Sequence, residues 1–283
     1  MENEHDILVD SQWLYRHLRD EDLIIVDCRF DFLLPEKGEK EYLSGHIPGS
    51  FFLDLERDLS GRRGEHGGRH PLPDDETFQH MMRGIGLSER SVVVAYGNDL
   101  SVPARLWWML CYFGHRRCHI LDGGFEKWKK SGLPVSSLPP ELRPMGNFTI
   151  KKDHGMIVFR EGIRKGVGNT RLIDARARER YAGEIEPLDT KAGHIPGAIN
   201  IPYTSVMTDG GIMDVESLRR IFSESGDNPV FYCGSGVTAC VNVLAMHLLG
   251  LRSRLYAGSW SDWVSYRDDP VAVSESPDST DPL

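Results

Sequence analysis

The chain has 283 residues, 40% hydrophobic and 27% charged, with a formal net charge of −9 at pH 7. This is ordinary globular composition with length for about two domains, and the acidic balance argues against a nucleic-acid partner, which needs a local excess of Lys and Arg. The acidic start Met1-Glu2-Asn3-Glu4 lacks a signal-peptide core, no stretch approaches the roughly 18 apolar residues of a membrane helix, and the five cysteines, Cys28, Cys111, Cys118, Cys233 and Cys240, are scattered and odd in number, unlike a disulfide framework; a reducing, cytoplasmic setting without a membrane partner is expected.

In chain order, Ile24–Asp27 is the first short apolar strand. The turn Gly45-His46-Ile47-Pro48-Gly49 follows; Pro fixes φ and Gly admits positive φ, so His46 reads as structural. Arg62, Arg63 and Arg69 form the one basic cluster, read as a solvated loop with some capacity for a small anion. Val92–Tyr96 is the next strand, and the loop after it, Gly97-Asn98-Asp99-Leu100-Ser101-Val102-Pro103-Ala104, has no cysteine. A helical stretch Leu106–Phe113 ends at Gly114 and leads to the strand Cys118–Leu121. Cys111, His115, Cys118 and His119 are close in sequence, but they divide between a helix end and a strand whose side chains alternate faces, so no metal is expected there. Ser136-Ser137-Leu138-Pro139-Pro140, with Arg143-Pro144, has the composition of an extended linker.

Beyond the linker the chain repeats itself. Leu172-Ile173-Asp174-Ala175-Arg176 matches the segment from Leu23 to Arg29, and Gly193-His194-Ile195-Pro196-Gly197 matches the turn at His46. Gly258-Ser259-Trp260-Ser261-Asp262-Trp263 matches Gly123-Gly124-Phe125-Glu126-Lys127-Trp128. Three matches in one order indicate a duplicated domain. Strands at Leu172–Asp174, Pro229–Tyr232 and Arg254–Tyr256 alternate with helical segments, as in the first half. An α/β fold is therefore expected, with two domains that are each a parallel sheet flanked by helices and with ligands near the carboxyl ends of the strands. The expected divisions are residues 1–139, a bridging linker 140–165, a second domain 166–275 and a flexible tail 276–283. Trp107, Trp108, Trp128, Trp260 and Trp263 sit in apolar patterns and read as core or domain-interface residues.

The most informative position is Cys233. It follows a buried-strand pattern and opens the loop Cys233-Gly234-Ser235-Gly236-Val237-Thr238, beyond which Val241, Leu244, Ala245, Leu248 and Leu249 fall at helical spacing. Gly234 and Gly236 tolerate the conformations by which successive N–H groups from Gly234 to Thr238 converge on a sulfur anion. A thiol at a helix start is favoured as thiolate, although the helix dipole supplies only about 0.3–1 kcal/mol, so converging hydrogen bonds or a nearby cation must add the rest. The first half has no cysteine at the matching loop and is expected to be catalytically inactive, forming one wall of a cleft. Cys240, two helical turns beyond Cys233, reads as a core residue, with redox regulation as the alternative.

These residues resemble the tandem-domain rhodanese sulfurtransferases, from Trp13 to about Trp263, through both Gly-His-Ile-Pro-Gly turns, Gly123-Gly124-Phe125 with Trp128, and Gly258-Ser259-Trp260. The loop Cys233–Thr238 looks like the 3-mercaptopyruvate type; thiosulfate-using relatives typically carry a basic pair where Gly234 and Ser235 stand. The resemblance implies a Cys233 persulfide that passes sulfur from a small anionic donor to cyanide or a thiol, with a thioredoxin-like reductant among the acceptors and no cofactor. It further implies that Arg180 pairs with the donor carboxylate, that His70 reaches the site from the first half, and that Glu56 stands where some relatives place an aspartate acting with the loop serine, here Ser235. One position departs: animal mercaptopyruvate enzymes carry a second carboxylate-binding arginine nine residues after the one matching Arg180, where this chain has Asp189, within the acidic run Glu184-Ile185-Glu186-Pro187-Leu188-Asp189.

Competing chemistries find less support. Cysteine phosphatases and arsenate reductases that share a strand, cysteine loop and helix need an arginine six residues after the cysteine, and position 239 is alanine. Thiosulfate:cyanide sulfur transfer, or a non-enzymatic sulfur carrier loaded by a partner protein, would use the same persulfide.

Overall fold

The structure, a computed structural model, describes residues 7–166, 170–209 and 211–274; the tail expected to be flexible from residue 276 lies outside the described residues. Two compact units form. The first gathers the chain up to Arg62, Leu72–Gly155 and Met207–Met213, and the second gathers Arg63–Pro71, Met156–Val206 and the chain from Asp214 onward. Segment 63–71, which sequence order would give to the first half, therefore folds with the second.

In the first unit, β1 (Leu8–Val9), β2 (Leu23–Asp27), β3 (Phe51–Phe52), β4 (Val92–Tyr96) and β5 (Cys118–Leu121) form a sheet ordered β1-β5-β4-β2-β3 with every pairing parallel. Sheets covered on both faces need near-continuous apolar strands, as the run Leu23-Ile24-Ile25-Val26 illustrates. The helices are α1 (Ser11–His17), α2 (Lys37–Ser44), α3 (Asp75–Gly84), α4 (Ser101–Tyr112) and α5 (Gly124–Lys130). Asp10 and Asp74 start α1 and α3 by accepting the amides of Trp13 and Thr77. Every residue of α4 is buried, which explains why its sequence is apolar all round. Residues 141–153 form no regular element, yet they are tied down within the first unit: Gly146 and Lys151 donate to the carbonyls of Arg83 and Phe113, and Phe148 is buried.

The second unit holds α6 (Arg160–Arg164), β6 (Leu172–Asp174), α7 (Arg178–Ala182) and β7 (Ile199–Asn200). The hairpin β8 (Met207–Thr208) and β9 (Gly211–Ile212) belongs to the first unit; then come α8 (Val215–Ile221), β10 (Val230–Tyr232), α9 (Ala239–Leu248), β11 (Arg254–Leu255) and α10 (Ser259–Trp263). The sheet runs β11-β10-β6-β7, all parallel, the same order as β5-β4-β2-β3. Even the outer edge repeats, since Ile157 bridges Leu255 in parallel where β1 pairs β5. The strands absent from the sequence reading, β1, β3, β7, β8 and β9, are two residues each, too short for any periodicity to register.

Both units are built on one buried device. At the end of β2 the Arg29 guanidinium forks onto the Asp27 carboxylate, donates to the Gly45 carbonyl at 2.7 Å and lies 4.2 Å over the Phe125 ring. At the end of β6, Arg176 does the same with Asp174, with the Gly193 carbonyl at 2.6 Å and with Trp260 at 4.5 Å. The pair thus ties the strand to the histidine turn and to the aromatic helix that the repeat identified. The histidines are structural, as expected: Nδ1 of His46 bonds the Tyr42 carbonyl and Nδ1 of His194 the Tyr181 carbonyl, each ring stacked on that tyrosine. All five tryptophans named above are buried. We expect Arg29→Ala to destabilise the protein by about 3–5 kcal/mol in urea unfolding, because it leaves Asp27 as an uncompensated buried charge.

Candidate active site

All three residues of β10 are buried between β6 and β11, so the chain leaves the sheet at Cys233 in one fixed direction. Cys233 opens the loop and α9 begins at Ala239. The Cys233 amide donates to Ser259 Oγ at 3.1 Å, and its carbonyl accepts from the Trp260 amide at 3.0 Å. Of the amides expected to converge on the sulfur, that of Gly236 donates to Cys233 Sγ at 3.2 Å. The Gly236 carbonyl in turn accepts the Cys240 thiol at 3.4 Å, so this residue is held at both its N–H and its C=O. Cys240 is buried in α9, in line with its reading as a core residue. Gly236 has φ +76°, and a Cβ there would fall 2.1 Å from the Ala257 carbonyl oxygen, so both backbone and space demand glycine.

Two guanidiniums stand beside the loop. A Cβ built on Gly234 would lie 2.8 Å from Arg69 Nη2 and 3.3 Å from Arg180 Nη1. Arg180 comes from α7. Arg69 comes from segment 63–71, where Gly67 donates to the buried Asp262 carboxylate and the Arg69 amide donates to Ser261 Oγ at 3.0 Å. The next residue, His70, is buried, with Nδ1 2.7 Å from Ser235 Oγ. His70 and Ser235 are therefore brought together at the loop that Cys233 opens and Arg180 flanks, although His70, expected to reach the site from the first half, belongs to the second unit. Glu56 lies in the first unit, exposed in the turn from Asp54 to Asp58.

The acidic run meets these cations. Glu186 accepts from Arg180 Nη2 at 2.6 Å and from Arg176 Nη1 at 3.1 Å. Burial opposes its ionisation, but the Arg180 hydrogen bonds and charge, with Arg176 behind them, hold its carboxyl below the ordinary range. Asp189 pairs with both loop-flanking arginines: Oδ1 with Arg69 and Oδ2 with Arg180 at 3.2 Å.

Three of these residues escaped the sequence reading. Arg69 was read as part of a solvated loop, and nothing local distinguishes it from Arg62 and Arg63. Glu186 had no motif. Ser259 did leave a signal, since it replaces Gly124 of the first half. Both have positive φ, 56° and 54°, a strained conformation for a serine, and Ser259 accepts this strain while its hydroxyl receives the Cys233 amide.

None of the five cysteines is disulfide-bonded. Burial pushes the thiols of Cys28 and Cys118 well up and that of Cys111 to about 12, which makes those three poor thiolates at neutral pH. Among the described residues no cluster of His, Cys, Asp and Glu could hold a metal, and no helix is long and apolar enough to cross a membrane.

Residues 10–131 and 160–266 each match the Rhodanese-like domain. A probable 3-mercaptopyruvate sulfurtransferase of Pseudomonas aeruginosa is 41% identical over 281 residues, covering 95% of this chain and 98% of the relative. A thiosulfate sulfurtransferase of Rattus norvegicus is 32% identical over 288 residues, covering 95% of each. The solved 3-mercaptopyruvate sulfurtransferase from Leishmania major superimposes with a TM-score of 0.84 at 29% identity, covering 95% of this chain and 77% of that one. Matched in both halves and along nearly its whole length, the chain belongs to the rhodanese family, as a sulfurtransferase with two rhodanese-like domains.

Proposed function

We propose that the protein transfers sulfur from 3-mercaptopyruvate, through a persulfide on Cys233, to a thiol or cyanide. The observation that carries this reading is the approach of two guanidiniums, Arg69 and Arg180, to Gly234, the residue that follows Cys233 and has no side chain. The Cys233 thiolate attacks the donor sulfur, and the carbon–sulfur bond breaks with its electron pair left on the methylene carbon. That carbon, a pyruvate enolate, takes a proton and departs as pyruvate. Sulfur remains as Cys233–S–SH, stabilised as the anion by the Gly236 amide. An acceptor thiolate or cyanide then attacks the outer sulfur and returns the Cys233 thiolate. A thioredoxin-like dithiol fits the acceptor step, and a reducing compartment such as the cytoplasm would keep the nucleophile free.

Within this reading the arginines bind the donor carboxylate, since a planar, permanently charged fork suits that geometry. Ser235, beside His70, is placed to relay a proton at the donor. The first domain, whose loop after β4 lacks a cysteine, supplies no nucleophile. Glu56 enters only through the resemblance. The small pair Gly234-Ser235 favours mercaptopyruvate over thiosulfate, because the basic pair typical of thiosulfate enzymes is missing.

Exposure to donor should add 32 Da, one sulfur, to the peptide bearing Cys233, and Cys233→Ser should abolish turnover; an adduct mapped to another cysteine would overturn the mechanism. Turnover with the small donor alone is expected, whereas loading only from a partner protein would mark a carrier. Arg180→Ala and Arg69→Ala should each raise KM for mercaptopyruvate about tenfold with a smaller effect on kcat, as loss of one charge-assisted contact predicts. Side-by-side kcat/KM values should favour mercaptopyruvate, and a preference for thiosulfate would reverse the donor assignment.

A further inference from the structure

Asp189 occupies the two arginines in the manner expected of a donor carboxylate. One of its oxygens contacts Arg69, the other contacts Arg180, and its side chain is only 5% exposed. The remaining charges are also matched. Arg176 is committed to Asp174, a pairing that the first domain reproduces between Arg29 and Asp27 although its loop after β4 has no cysteine, and Glu186 is shared between Arg176 and Arg180. Three guanidiniums thus face three carboxylates, and no net positive charge is left to receive an anion.

We propose that Asp189 is an internal competitor for the donor anion: it closes the Arg69–Arg180 site when no donor is bound, and its displacement sets donor affinity and selectivity. The inference rests on the assignment of Cys233 as the reacting residue. The opposition is electrostatic, because an anionic donor entering with Asp189 in place would put a second carboxylate against the same two guanidiniums, and like charges at such a distance repel. Ile185 and Leu188 of the segment that carries Asp189 are 57% and 60% exposed, so its movement is opposed chiefly by the contacts of Glu186 with Arg176, Arg180 and the Leu188 and Asp189 amides. A site closed for most of the time binds its ligand more weakly by the fraction that is open. The acidic residue that breaks the family resemblance at this position then has a function, which is to raise the threshold for small anions and to keep the arginines from being filled by the carboxylates and sulfate around them.

The test is Asp189→Asn, which keeps the shape and removes the charge. The first readout does not depend on sulfur transfer: the rate constants for alkylation of Cys233 by iodoacetate, an anion, and by neutral iodoacetamide, with the modified residue mapped by mass spectrometry. The ratio of anionic to neutral rate should rise about tenfold, and KM for 3-mercaptopyruvate should fall by a similar factor, if Asp189 closes the site about nine-tenths of the time. An unchanged or lower ratio in a folded variant would overturn the proposal and make Asp189 a support that orients the arginines. Asp189→Ser serves as the second variant should the amide disturb folding, with the same expected direction. If Cys233 of the unaltered protein never acquires sulfur from donor, the sulfur-transfer reading fails, while the alkylation ratio still decides the role of Asp189.

Discussion

The buried pair of Asp174 and Arg176 is the contact on which the second domain's site depends. One guanidinium reaches the end of β6, the carbonyl of Gly193, the carboxylate of Glu186 and the face of Trp260. Beside it, the Tyr232 hydroxyl accepts the Ile195 amide at 3.1 Å, which links the strand carrying Cys233 to the same turn. Trp260 lies in the first turn of α10, whose Ser259 and Trp260 hold the backbone of Cys233. A buried ion pair is weak evidence of net stability, since desolvation consumes much of the attraction, but removing one partner is costly. Its value here is positional: strand end, turn, acidic segment and Cys233 loop share one anchor.

The duplication shows the same anchor beside a loop that has no cysteine. In the first domain Asp27, Arg29, Tyr96 and Phe125 make the corresponding contacts, including Tyr96 to the Ile47 amide at 3.1 Å. The framework is therefore a property of the fold. The second domain adds Cys233 at the strand end, Ser259 in place of Gly124, and a shell of charge drawn from α7, the acidic run and segment 63–71. Chemistry was laid over a scaffold whose geometry was already determined.

Charge balance then separates this site from a simple anion receptor. Arg69 and Arg180 lie close enough to Gly234 that a Cβ there would crowd both guanidiniums, yet both are already engaged by Asp189. Glu186 orients Arg180 from behind and, by accepting the amides of Leu188 and Asp189, also shapes the turn that presents Asp189. Orientation and competition thus come from neighbouring residues of one short segment.

The sequence by itself determined the duplication, the parallel strands longer than two residues, the structural histidines and the loop that Cys233 opens. Each rests on short-range demands: apolar continuity in a covered strand, proline and glycine in a turn, glycine at positive φ beside Cys233. Only the tertiary structure decided which charges meet that cysteine. Arg69 is distant from Cys233 in sequence, and Asp189 looked like the loss of a binding arginine until both its oxygens were found on guanidiniums. Ion pairs between loops follow from where the chain returns in space, and a solvated arginine and a site arginine have the same local sequence signature.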